Sequence, residues 1–209
     1  MPALLELFSG TGSVGRAFAA RGWEVVSVDC VAKFEPTHCV DVLAWDYFSA
    51  YPPGYFEVVW ASPPCVQYSC ARTRGPPRDL EGADRLVAKA LEIIDHFGSR
   101  WWWVENPATG LLKTRPVVQP LGAPYTVSYC HYGFRYRKHT NLWSNCPHLE
   151  ARKCRGDCEH FARGRHPVSA QRGPNKYEER RHGFTLEGLY SMPPALCDSI
   201  AEASKQPAA

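Results

Sequence analysis

Three apolar runs in the first half of the chain each end in residues that carry chemistry, and this repetition constrains the fold more than any other feature. Leu4-Leu5-Glu6-Leu7-Phe8 leads into Ser9-Gly10-Thr11-Gly12. The run over residues 56–61 leads into Ser62-Pro63-Pro64-Cys65, and Trp101-Trp102-Trp103-Val104 leads into Glu105-Asn106-Pro107. Apolar runs this short, bounded by Gly and Pro, read as buried strands. Residues 24–29, with Val25, Val26 and Val28, read as another strand ending in Asp29, and residues 40–43 as a short strand end carrying Asp41. Residues 125–129 read as a further strand. Helices are expected over residues 14–21 and 82–97. In the second of these, Leu86, Val87, Ala90, Leu91, Ile94 and Phe97 recur at helical spacing. Strands alternating with helices imply a mostly parallel sheet covered on both faces. Such sheets bind ligands beyond the carboxyl ends of their strands, which is where the singled-out residues fall.

With 209 residues, 44% of them apolar, the chain can bury one core of ordinary size plus an appendage. No apolar stretch approaches the roughly 20 residues of a membrane span. Met1-Pro2-Ala3 lacks the basic-then-apolar pattern of a secretory signal. The nine cysteines are odd in number. Together these features predict an intracellular, reducing setting, with cysteines free or metal-bound.

The character of the chain changes after residue 144. Residues 1–144 read as the core, and residues 145–185 as a loop-rich insertion full of Cys, His, Arg, Gly and Pro. Residues 186–209 read as a segment closing on the core, with a helix over 194–203. Residues 150–182 hold nine Lys/Arg against five Asp/Glu, although the whole chain carries only +3. That excess is a solvated face or the electrostatic footprint of a nucleic-acid contact.

Each motif has a physical reading. The glycine loop after the first strand opens a helix, a place where backbone can approach a ligand closely. A carboxylate at Asp29 can accept from both hydroxyls of a ribose, and Asp41 can hold an adenine amino group. Cys65 follows two prolines in a stiff turn, the geometry a nucleophile needs. As a thiolate it can attack an electron-poor carbon while Glu105 protonates a ring nitrogen. For this the thiol needs its pKa lowered by positive charge or a helix end.

In order and spacing, the glycine loop, Asp29, Asp41, Ser62-Pro63-Pro64-Cys65-Val66-Gln67-Tyr68-Ser69 and Val104-Glu105-Asn106-Pro107 resemble the motifs of the C5-cytosine DNA methyltransferases over about residues 4–143. The resemblance implies a Rossmann-like class I α/β fold and S-adenosylmethionine as methyl donor. Phe8, Gly10, Thr11, Gly12, Asp29, Asp41 and Pro64 would hold that cofactor. It implies double-stranded DNA as partner, with the target cytosine flipped out of the duplex. Cys65 would attack C6 and Glu105 would engage N3. A branch of the family methylates tRNA, so an RNA substrate is the alternative. A member that binds nucleic acid without methylating it is a third reading.

Several features depart from the family pattern. Tyr132-Gly133-Phe134-Arg135-Tyr136-Arg137-Lys138-His139 lacks the usual Gln, and the base-contacting pair is either Arg135 and Arg137 or Arg137 with His139 in place of the second arginine. The closing Asn motif is missing, with Ser191-Met192-Pro193-Pro194-Ala195 in its place. Arg72, Arg74 and Arg78, in the loop after Cys65, are expected to contact phosphate. Gln171 and Arg172 have the chemistry that reads base edges, which would make residues 145–185 a small target-recognition element. Cys146, Cys154, Cys158, His160 and His166 fall within 21 positions, and four of them are expected to hold a structural zinc.

Overall fold

The computed structural model describes residues 1–170 and 184–207. Seven strands form one sheet: β1 (Ala3–Leu7), β2 (Glu24–Asp29), β3 (His38–Cys39), β4 (Val58–Ala61), β5 (Trp101–Pro107), β6 (Tyr125–Ser128) and β7 (His139–Ser144). Their order is β3-β2-β1-β4-β5-β7-β6. The first five are mutually parallel, and β7 runs antiparallel to both β5 and β6. The expected strand over 40–43 is instead β3 at 38–39. Asp41 lies in the turn beyond it, where its Oδ1 accepts from the Leu43 amide at 3.0 Å. The sequence reading missed β7.

Five helices are assigned among the described residues: α1 (Ser13–Ala19), α2 (Tyr47–Ala50), α3 (Leu80–Phe97), α4 (Leu186–Tyr190) and α5 (Pro194–Lys205). The helix expected over 82–97 starts earlier because Asp79 caps it, accepting from the Gly82 amide at 2.8 Å. It stops at Gly98, whose φ of 56° lies in the left-handed region. No helix among the described residues is long and apolar enough to cross a membrane.

Strand alternation splits the interior into two cores. Leu4, Val58, Trp60, Trp101 and Trp103 face α1 and α5, where they meet Val14, Phe18, Leu196 and Ile200. Leu5, Leu7, Val59, Ala61 and Val104 face α3 and its Val87, Ala90 and Ile93. Burying each such aliphatic side chain stabilises the fold by about 1.5–3 kcal/mol before entropy is counted. The three tryptophans facing α1 and α5 all place their indole N–H: Trp60 donates to Ser62 Oγ, Trp101 to Gln206 O and Trp103 to Ser204 Oγ. The last two bonds fasten the end of α5 to β5. Arg21, just past α1, binds Asp198 and Glu202 of α5.

Candidate active site at the strand ends

The chemistry-bearing residues meet because β1, β4 and β5 are adjacent and in register. Leu7 pairs with Ala61, and Ala61 with Val104. The glycine loop, the Pro-Pro-Cys turn and Glu105 therefore leave the sheet side by side. They line one cavity of about 390 Å³, within the range of small-molecule sites. Phe8, Gly10, Thr11, Asp29, Asp41, Pro64, Cys65 and Glu105 all contribute to its wall. Gly12 does not line it. It caps α1 from a φ of 64°.

Asp29 shapes the loop around it. Its Oδ2 accepts from the Gly10 amide and its Oδ1 from the Val31 amide, both at 2.8 Å. Each oxygen keeps a lone pair for a ligand hydroxyl. Phe8 turns the chain at a φ of 56°, a costly conformation for a bulky residue and one that gathers at binding sites. Beneath the loop lies Glu6, which the sequence reading left unassigned. Burial pushes its carboxyl up to about 7, against hydrogen bonds from the Gly15 and Val14 amides. Gly15 must be glycine, since a Cβ there would sit 2.5 Å from Glu6 Oε2 and 2.9 Å from Val25 Cγ1.

At the other end of the cavity, Asn106 is buried and its Nδ2 donates to Pro63 O at 3.0 Å. This bond ties the glutamate segment to the cysteine turn. Glu105 is buried, and its Oε1 has no hydrogen-bond partner among the described residues. Buried polar atoms rarely stay unpaired, so this oxygen suits a ligand that shares a proton with it. Burial raises the Glu105 pKa, while Lys138 and the Ser62 hydroxyl pull it down. Burial also pushes the half-buried Cys65 thiol up, the Glu105 charge adds to this, and Lys138 opposes it. The lowering that a nucleophilic thiol needs has one source here, Lys138, and desolvation outweighs it.

Lys138 is the cation that the sequence reading missed. It lines the cavity, whereas Arg135 and Arg137 are exposed and lie outside the lining. Its Nζ sits 4.9 Å from the centre of the Tyr129 ring. Lys138 immediately precedes β7, and an antiparallel strand beside β5 was the signal needed to pick it from its basic neighbours. Tyr190 and Met192 complete the wall from the C-terminal segment. The Met192 amide donates to Ser13 Oγ at 3.3 Å, which brings the segment around 191–195 back to the glycine loop.

The loop arginines divide. Arg78 donates to the carbonyls of Gln67, Ser69 and Arg72 at 2.6, 2.9 and 3.0 Å. It staples the loop internally. Arg72 bonds Gln67 Oε1 and Pro76 O, and Arg74 is exposed. Gln171 and Arg172 lie outside the described residues.

The metal candidates also divide. Cys154, Cys158 and His166 come together, but their companion is Cys130, with all four ligand atoms within 4.8 Å of one another. Such a cluster can hold a metal ion. Cys146 is buried elsewhere, its thiol 3.6 Å from Ala203 O, and His160 faces Glu159. Cys130 escaped the sequence reading because it lies 24 positions before Cys154, just beyond β6.

Sheet order, glycine loop and strand-end acids define a Rossmann-like methyltransferase. Among solved structures, a DNA modification methyltransferase encoded within an E. coli prophage matches 69% of this chain with a TM-score of 0.52 and 17% identity. The match spans 46% of that chain, and the likeness is one of fold. A probable DNA (cytosine-5)-methyltransferase of Frog virus 3 (isolate Goorha) is 36% identical over 214 residues, covering 92% of this chain and 95% of the relative. The chain belongs to the DNA (cytosine-5)-methyltransferase family. No protein-family model matches it.

Proposed function

We propose that the chain methylates C5 of cytosine in DNA through a covalent adduct between Cys65 and C6 of a flipped-out base. The observation that carries this reading is the convergence of Cys65, Glu105 and Lys138 on the cavity that also holds the glycine loop, Asp29 and Asp41. The cavity fits S-adenosylmethionine: Asp29 and Asp41 offer acceptors, Gly10 and Thr11 a close backbone, and Val31, Phe34, Val40 and Val42 apolar walls. When bound, S-adenosylmethionine supplies the electrophilic methyl group that C5 accepts.

The remaining steps belong to the chain. Burial disfavours the anion of both Glu105 and Cys65, and Lys138 opposes it at each. A protonated Glu105 can give its proton to N3 of the cytosine, which makes C6 electron-poor. Lys138 stabilises the thiolate as it forms. Once Cys65 bonds to C6, electron density moves to C5. With the methyl group on C5, loss of the C5 proton to water, departure of Cys65 and return of the N3 proton to Glu105 restore the ring. The flipped base costs a few kcal/mol of stacking and pairing, offset by contacts in the pocket. Residues 145–185, with their cationic excess, serve as the target-recognition element, and Arg74 in the loop after Cys65 contacts phosphate.

The test is nucleoside mass spectrometry after expression in bacteria that lack their own cytosine-C5 methylation. 5-Methylcytosine in plasmid DNA that disappears with Cys65→Ala supports the proposal. The modified base in small RNA alone moves the substrate to RNA. Its absence from both pools, with cofactor still bound by the purified chain, makes the protein a non-methylating binder.

A further inference from the structure

We propose that Cys130, Cys154, Cys158 and His166 form a structural Cys3His zinc site that locks the 154–166 loop onto the wall of the catalytic cavity. This does not rest on the methylation reading.

The four side chains come from two segments. Cys130 sits in the 3-10 turn Tyr129–Tyr132 that follows β6, and the others come from the loop beyond β7. His166 Nε2 lies 3.1 Å from Cys158 Sγ and 3.7 Å from Cys154 Sγ. Tetrahedral zinc with Zn–S near 2.3 Å and Zn–N near 2.0 Å sets its ligand atoms about 3.5–4 Å apart, so a few tenths of an ångström of opening between His166 and Cys158, with the wider pairs within 4.8 Å drawing in, seats the ion. Three thiolates and one imidazole suit zinc better than harder cations.

The surroundings are those of a metal knuckle. Gly156, between the two loop cysteines, adopts a φ of 91°, and its amide donates to Cys154 Sγ at 3.4 Å. A Cβ there would press on the Phe161 ring at 3.1 Å, so the turn is built for glycine. Amides aimed at a ligating sulfur belong to the outer shell that orients metal ligands. Cys130 and Cys154 are buried while Cys158 and His166 are half-buried, which leaves one flank open for metal to enter. Residues 155–165 contain Phe161 and Ala162 as their only apolar side chains besides Cys158. A segment this polar cannot order by burial alone and needs a staple.

The location gives the site a consequence. Cys130 follows Tyr129, which lines the catalytic cavity and whose amide donates to Lys138 O at 3.1 Å. The Cys154 amide donates to Ser128 Oγ at 2.8 Å, and that oxygen lies 2.7 Å from His139 Nδ1. An ion on the four ligands would therefore fix the two strand ends that carry Tyr129 and Lys138.

The full-length chain, reconstituted with zinc and dialysed exhaustively, is expected to retain one zinc per chain by elemental mass spectrometry. Cys130→Ser and Cys158→Ser should lose it, whereas Cys146→Ser and His160→Ala should keep it. Cobalt(II) in the wild-type chain should give the intense visible bands and thiolate charge transfer of a tetrahedral sulfur-rich site. His166→Cys should keep the metal and shift those bands toward an all-sulfur spectrum. This spectroscopic arm decides the matter even if Cys130→Ser fails to fold. Failure of the wild-type chain to retain zinc, a pale octahedral cobalt spectrum, zinc undiminished in a folded Cys130→Ser chain, or a disulfide among the three cysteines in place of metal would overturn the proposal.

Discussion

Asn106 Nδ2 donates to the carbonyl oxygen of Pro63 at 3.0 Å, and the Asn106 side chain is buried between the two strand ends it joins. Proline cannot donate from its own nitrogen, so the turn before Cys65 depends on bonds to its carbonyls. Asn106 supplies one from the segment that also carries Glu105. The bond ties the segment that carries Glu105 to the turn that carries Cys65 without touching either side chain.

Removing it should therefore loosen the site more than the fold. Asn106→Ala leaves a buried carbonyl unpaired, at a cost of about 1–3 kcal/mol. Urea unfolding should register that loss. Turnover should fall further than this destabilisation accounts for, with cofactor affinity nearly unchanged. An Asn106→Ala enzyme with wild-type turnover would mean that the bond does not position Cys65.

The two charges beside Cys65 act on its thiol with opposite sign. Lys138 lowers its pKa and Glu105 raises it. Lys138→Met should shift thiol alkylation toward higher pH. Glu105→Gln should shift it lower over the range where Glu105 is ionised. Peptide-resolved mass spectrometry of iodoacetamide labelling separates Cys65 from the exposed Cys30, Cys39 and Cys70. Coincident titration curves for all three proteins would contradict the electrostatic reading.

Glu6 makes the fold lose stability as pH rises from about 4.5 to about 7. Its folded pKa of about 7 lies above the ordinary 4.5 because burial disfavours the anion. Between those values the folded state holds a proton that the unfolded chain releases, so stability falls as pH rises through the window. At about 1.4 kcal/mol per unit the full loss is roughly 3 kcal/mol. Glu6→Gln should flatten this part of the stability–pH curve in denaturant titrations. Gly15→Ala, which drives a methyl into Glu6 and Val25, should cost about 1–3 kcal/mol at every pH.

Arg78 and Arg74 should fail in different ways. Arg78→Ala removes the staple across residues 67–72 and should speed proteolysis of that loop with no DNA present. Arg74→Ala should leave proteolysis unchanged, weaken DNA binding and reduce the salt slope by about 1. Limited proteolysis and salt-dependent binding, run side by side, distinguish a structural arginine from a phosphate contact.

The amino-acid sequence by itself determined the strand–helix alternation, the identity of Cys65 and Glu105, and the position of both at strand ends. Those properties are local: apolar runs of strand length, prolines that stiffen one turn, and a glycine loop at a helix start. The positions of Asp29 and Asp41 near strand ends were legible for the same reason, although β3 falls at 38–39, before the run expected to form it. What the tertiary structure alone decided involves partners far apart in the chain. Lys138, not Arg135 or Arg137, lines the cavity because β7 returns antiparallel beside β5 and delivers that residue there. Cys130, and not Cys146, lies beside Cys154, Cys158 and His166 because the turn after β6 meets the 154–166 loop, while Cys146 is drawn into the core against Ala203. Sequence proximity favoured Cys146, but ligand sets are chosen by distance in space. The pKa of Cys65 was likewise out of reach, since it balances burial against two charges that only the folded chain brings to the thiol.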